Sequence, residues 1–203
     1  MTYVLDVLAE VMKTLPPQSI AIKLLHWVNL ASVTMMLLSG LQIYDANPVF
    51  GGRSGIHIPT ALLLGGWLAG GRDWHFAAMT LFSLNLLAYG IYILFSKRWK
   101  IRFVTGKDLQ AIAQSKNPQR LAYSWHRVAY SVIVPVLLIA ILSGIGMYKS
   151  AQFDWIVKLF GDDWQALRIA HFMTVPIVLT FIPIHVLLAL RVGKQKLIES
   201  MFW

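Results

Sequence analysis

The sequence predicts an all-α membrane protein, a four-transmembrane-helix bundle with short interfacial helices, with residues 1–203 forming a single integral-membrane domain. Three observations predict it. Hydrophobic residues make up 57% of the chain and charged residues only 13%, too apolar a balance for an ordinary soluble domain. Stretches near 22–44, 74–95, 123–148 and 168–190 each supply the roughly 20 apolar residues that a helix needs to cross a hydrocarbon core. The formal charge of +9 is gathered in segments between and beyond these stretches, as in membrane loops. That distribution argues against nucleic acid as a partner and for the lipid bilayer.

Residues 3–15 place Val4, Leu8, Val11, Met12 and Leu15 at helical spacing, which predicts an interfacial helix on the inner side. Acids stand there where a cleavable signal needs basic residues, so the segment reads as mature protein. The first span carries Lys23 close enough to its end to reach the headgroups. Residues 56–69 are apolar but interrupted by Pro59 and paired glycines, too short to span, and are placed along the outer interface. Between the second and third spans come Lys97, Arg98, Lys100, Arg102, Lys107, Lys116 and Arg120, opposed only by Asp108. In 151–164, Phe153, Ile156, Val157, Phe160 and Trp164 again follow helical spacing and predict a helix lying on the surface. Arg191, Lys194 and Lys196 follow the fourth span. By the positive-inside rule both termini and the 96–122 loop are cytoplasmic, and four crossings agree with that parity.

The chain has no cysteine, which removes disulfides, thiolate metal sites and thiolate-held clusters and leaves histidine as the strong ligand. Of six histidines, His26 and His185 lie near the inner ends of spans one and four. His75 and His171 lie near the outer ends of spans two and four. Ionisable groups inside spans are costly and mark functional sites. Fourteen residues separate His171 from His185; at about 100° and 1.5 Å per residue they face one side of the helix about 21 Å apart. Two imidazole pairs at two depths suit two haems stacked across a bilayer, with both axial positions filled and electron transfer as the chemistry. Histidine-based metal or proton transport is the other reading, in which His57 joins the outer group as a third ligand. His126 has no evident partner and is placed near a propionate or a quinone. A short echo, Leu38-Ser39-Gly40 with Tyr44 against Leu142-Ser143-Gly144 with Tyr148, recurs at an offset of 104. Its glycines offer room for close approach of a helix or a flat ligand.

LLHW at 24–27, LSG at 38–40, RDWHF at 72–76, NPQRLAY at 117–123 and the His171-to-His185 spacing resemble the integral cytochrome b subunits of bacterial formate dehydrogenase, nickel–iron hydrogenase and thiosulfate reductase. The resemblance covers nearly the whole chain. It implies two haem b groups, the cytoplasmic-side one on His26 and His185 and the periplasmic-side one on His75 and His171. It also implies exchange with a quinone, menaquinone or ubiquinone, near Asn117, Gln119 and Arg120. Arg120 and Arg127 are candidates for haem propionates or quinone. The subunit is then expected in a bacterial inner membrane, docked to a periplasmic redox protein or catalytic subunit, plausibly a molybdenum oxidoreductase. A stand-alone b561-type cytochrome oxidising superoxide or small reductants is the rival within the same chemistry.

Overall fold

The computed structural model describes residues 18–202, so the interfacial helix expected at 3–15 lies outside the described residues. Four long helices carry the architecture: α1 (Ile20–Ala46), α2 (Leu68–Phe95), α5 (Pro118–Tyr148) and α7 (Trp164–Glu199). Each is long and apolar enough to cross a membrane. Short helices α3 (Trp99–Arg102) and α4 (Gly106–Gln114) fill the basic connection between α2 and α5, and α6 (Asp154–Leu159) fills that between α5 and α7. We refer to the side carrying α3, α4 and the chain's last residues as the basic end. There Lys23 donates to the Phe202 carbonyl at 2.5 Å and Trp27 to that of Met201 at 2.8 Å, tying the start of α1 to the end of the chain.

The helix starts are written in local chemistry. Ser19 caps α1, Asn117 caps α5 with Pro118 following, and Asp163 caps α7, each side chain accepting an amide that the first turn leaves free. α2 starts at Leu68, earlier than the apolar run suggests. Gly65 and Gly66, at φ +116° and +72°, turn the chain sharply into it. The rest of the 56–69 segment forms a single three-residue 3₁₀ turn at Thr60–Leu62. α7 continues through Pro176 and Pro183 as one helix. Membrane helices tolerate such prolines where neighbours compensate the lost backbone bonds.

The four helices pack as two hairpins, α1 on α2 and α5 on α7. Small residues let the backbones approach. In the first hairpin Gly71 of α2 meets Gln42 of α1; a Cβ there would lie 2.8 Å from the Gln42 Cγ. In the second, Gly146 of α5 meets Ile156 and Leu167, which with Val157 form a buried cluster at the end opposite the basic one. The 151–164 segment therefore lies on the surface with one edge, Ile156 and Val157, buried against α5 and α7.

The basic connection is stapled down by one acid. Asp108 is fully buried and accepts from the Thr105 amide at 2.9 Å and hydroxyl at 2.6 Å, while Arg120 and Arg127 meet its two oxygens at 3.1 and 3.0 Å. Arg127 also donates to the carbonyls of Lys100, at 2.9 Å, and Phe103.

Candidate functional site

Two imidazole levels lie between the hairpins. At the level away from the basic end, His75 of α2 faces His171 of α7 with ring centroids 6.2 Å apart. At the other level, His26 of α1 faces His185 of α7 at 6.5 Å. Two rings on opposite sides of a metal, each bound through one nitrogen at roughly 2.0 Å with about 1.1 Å from nitrogen to ring centre, have centroids roughly 6 Å apart. Both pairs meet that spacing, and all four side chains are half-buried.

The outer pair opens on a cavity of about 490 Å³, within the range of pockets that hold cofactors. Its depth is lined by aliphatic residues and Phe82, its mouth by Arg72, Arg168, Asn47 and Trp164. The surroundings of the two histidines are near copies. The Nδ1 of His75 lies 3.1 Å from the Met36 carbonyl and 3.1 Å from the Ser39 hydroxyl. The Nδ1 of His171 lies 3.0 Å from the Ala140 carbonyl and 3.0 Å from the Ser143 hydroxyl. A Cβ on Gly40 would stand 3.3 Å from the His75 Cε1, and one on Gly144 3.2 Å from that of His171. The glycines of the LSG echo thus make room first for the imidazoles.

The copying extends past the echo seen in sequence. Arg72, His75 and Phe76 of α2 correspond to Arg168, His171 and Phe172 of α7, at an offset of 96. Tyr44 packs on Phe172 at 5.0 Å and Tyr148 on Phe76 at 4.2 Å, so each hairpin's tyrosine reaches the other's phenylalanine. The two hairpins are related by a pseudo-twofold, and the outer cavity lies between its halves. Arg72 and Arg168 were missed as site residues. The signal was present as R-x-x-H-F at 72–76 and 168–172.

The inner level is less regular. His126 stacks on His185 at 5.3 Å and 27°, closer than the roughly 6 Å of two rings on opposite sides of one metal, and Tyr130 and Phe181 lie 6.0 and 5.3 Å from the same ring. His126 is therefore not the partnerless residue its sequence position suggests. Arg102 stacks over Tyr130 at 5.3 Å, and no ion pair joins it to a carboxylate among the described residues. Arg120 and Arg127, expected to meet propionates or quinone, are instead committed to Asp108. Burial alone would raise the Asp108 pKa, but the Thr105 hydroxyl and amide and the two guanidiniums hold it below the usual carboxylate value.

Asn117 spends its carboxamide oxygen on the amides of Gln119 and Arg120, at 2.9 and 3.2 Å. Gln119 lines a cleft of about 430 Å³ with Trp125, Leu188 and Arg191 at the basic end. His57 points to Asp45 at 3.3 Å and is 69% exposed, so it does not join the outer pair. Among the described residues no three histidine or acidic side chains converge as a metal site.

Fold and site together define a helical membrane protein with imidazole pairs at two depths, the architecture of a b-type membrane cytochrome. The chain matches the family described as prokaryotic cytochrome b561 over residues 18–203, and it belongs to that family. Membership implies haem b as cofactor. The chain is 32% identical over 182 residues, 85% of its length and 89% of the relative's, to the putative protein-methionine-sulfoxide reductase subunit YedZ1 of Azospira oryzae. No solved structure matches.

Proposed function

We propose that the chain is a di-haem membrane cytochrome b that carries electrons between the quinone pool and a periplasmic redox partner. The observation that carries this reading is the pair of imidazole couples, at 6.2 and 6.5 Å, at two levels of one bundle. His75 and His171 would hold the outer haem, His26 and His185 the inner one. Held by imidazoles in this way, haem would supply one-electron transfer there.

The chain's own residues do the rest. Arg72 and Arg168, at the cavity mouth, suit the two carboxylates of a haem whose apolar edge points inward. Arg102, near the inner histidines and in no ion pair among the described residues, takes the role first given to Arg120 and Arg127. The excess of lysine and arginine supports a cytoplasmic basic end, with both termini on that side of a bacterial inner membrane. The Gln119 cleft opens beside that level and supports quinone exchange there, with menaquinone or ubiquinone as the substrate. Oxidation of the quinol form there would release two electrons, one at a time, toward the outer face and two protons to the adjoining water. The name of the Azospira oryzae relative supports a methionine-sulfoxide-reducing partner, a molybdenum oxidoreductase in this reading, as acceptor at the outer face.

A dithionite-reduced minus oxidised spectrum with a pyridine haemochrome titration tests the core of this reading. About two haems b per chain are expected, and His171→Ala is expected to remove only the outer one. Absence of haem refutes the proposal.

A further inference from the structure

We propose that Ser39 and Ser143 are positioning residues which, with the carbonyls of Met36 and Ala140, fix the two outer imidazoles as Nδ1–H donors and lower the potential of the haem between them. The inference rests on the outer ligand pair proposed above. A carbonyl oxygen only accepts hydrogen bonds, so the contacts of 3.1 and 3.0 Å to Met36 and Ala140 require each histidine Nδ1 to carry the proton. The serines agree with that requirement. Ser39 donates its hydrogen to the Met35 carbonyl at 2.6 Å and Ser143 to that of Ile139 at 2.5 Å, which leaves each hydroxyl oxygen to accept from the same Nδ1. A neutral ring protonated at Nδ1 has its lone pair at Nε2, which is the atom an iron needs.

Each ring is thus gripped by two acceptors on the neighbouring helix of its own hairpin and closed in at Cε1 by a glycine. Both serines are fully buried, so no water competes. Donation from Nδ1 raises the basicity of Nε2. A more basic ligand favours ferric over ferrous iron, and two such ligands act on the same haem. The inner level lacks this frame. The Nδ1 of His185 is buried with no hydrogen-bond partner among the described residues.

Ser32 supplies the control. It is equally buried and makes the same backbone bond, to the Val28 carbonyl at 2.8 Å, but no histidine touches its hydroxyl. Redox titration of the purified full chain, followed in the haem α-band, compares wild type with Ser39→Ala, Ser143→Ala and Ser32→Ala. His171→Ala identifies the inner component. Losing one acceptor is expected to shift the ferric-to-ferrous ratio of the outer haem about tenfold, which is about 59 mV upward for one electron. The inner haem and the Ser32→Ala protein are expected to titrate as wild type does. Loss of the outer haem alone from a Ser39 or Ser143 variant also supports the proposal, since the ring has then lost its hold. An outer shift no larger than that of Ser32→Ala, equal shifts of both haems, or loss of both haems overturns it. A wild-type protein without two haems removes the ligand assignment and this inference together, whereas two haems with no serine effect removes only the inference.

Discussion

Replacing Asp108 with asparagine tests how the basic end is held closed. The side chain keeps its shape, and one oxygen can still accept from Thr105. An NH₂ group then confronts a guanidinium, and the Arg127 charge loses its counter-ion. Breaking a buried ion pair by removing one partner costs about 3–5 kcal/mol. The Arg127 side chain is 10% exposed and that of Arg120 31%, so water compensates the second far better than the first. The lower figure, about 3 kcal/mol, is therefore the expected cost, and at 1.36 kcal/mol per decade it corresponds to roughly 150-fold more frequent opening of the segment. Hydrogen exchange reads this directly at the Asp108 and Leu109 amides, which bond to the Thr105 carbonyl at 2.9 and 3.2 Å. Exchange within threefold of wild type at these amides would refute the staple.

The same carboxylate fixes a pH dependence. Its folded pKa lies below the unfolded value, so its contribution is fully present above about pH 4 and is lost as pH falls through the folded pKa. Between pH 7 and 5 the wild-type segment should exchange with no contribution from Asp108 titration. Below that, wild type should converge on the Asp108→Asn protein, whose own exchange lacks this acid transition.

Arg102→Gln removes the cation beside the inner histidines; cations favour the ferrous form, so the inner potential should fall by about 59 mV for a tenfold change while the outer one stays. A fall in both, or in neither, counts against its assignment, and redox titration reads it. Gly144→Val places a branched Cβ 3.2 Å from the His171 Cε1 and should remove the outer haem from the spectrum, whereas Gly90→Ala, which meets nothing within 4 Å, should retain both. His126→Ala should retain two haems, since its ring lies stacked on His185 at 5.3 Å, short of the roughly 6 Å of rings on opposite sides of one iron; loss of the inner haem would make His126 the ligand in place of His26.

The four spans were legible because hydrophobic length is a local property, and the histidine levels because fourteen residues on a helix fix both a face and a distance. Contacts between distant segments were not. Nothing local tells that Asp108 folds under Arg120 and Arg127, and a basic loop read alone makes those arginines look available. Asn117 carries a second signal that was legible locally. An asparagine before proline at a helix start is a capping signal, and its oxygen accepts from the Gln119 and Arg120 amides. Arg72 and Arg168 were hidden by arithmetic. The LSG motifs recur at an offset of 104 and the R-x-x-H-F motifs at 96, because the connection inside the second hairpin is eight residues shorter, and a comparison at one offset misses one of them.

Those two offsets also account for the difference between the levels. His75 and His171 occupy equivalent positions, each on the second helix of its hairpin, so whatever frames one frames the other. At the inner level His26 lies on a first helix and His185 on a second, which are not equivalent. The position matching His26 is Tyr130 and that matching His185 is Tyr89, and these two hydroxyls lie 3.2 Å apart. A ligand pair taken from equivalent helices receives the same serine, carbonyl and glycine twice, while a pair taken from inequivalent helices cannot. In the two-haem reading, an internally repeated bundle thereby gives its two haems unlike surroundings, the outer one with doubly donated imidazoles and the inner one with tyrosines and Arg102. That asymmetry follows from which member of each equivalent pair holds histidine, His26 over Tyr130 and His185 over Tyr89.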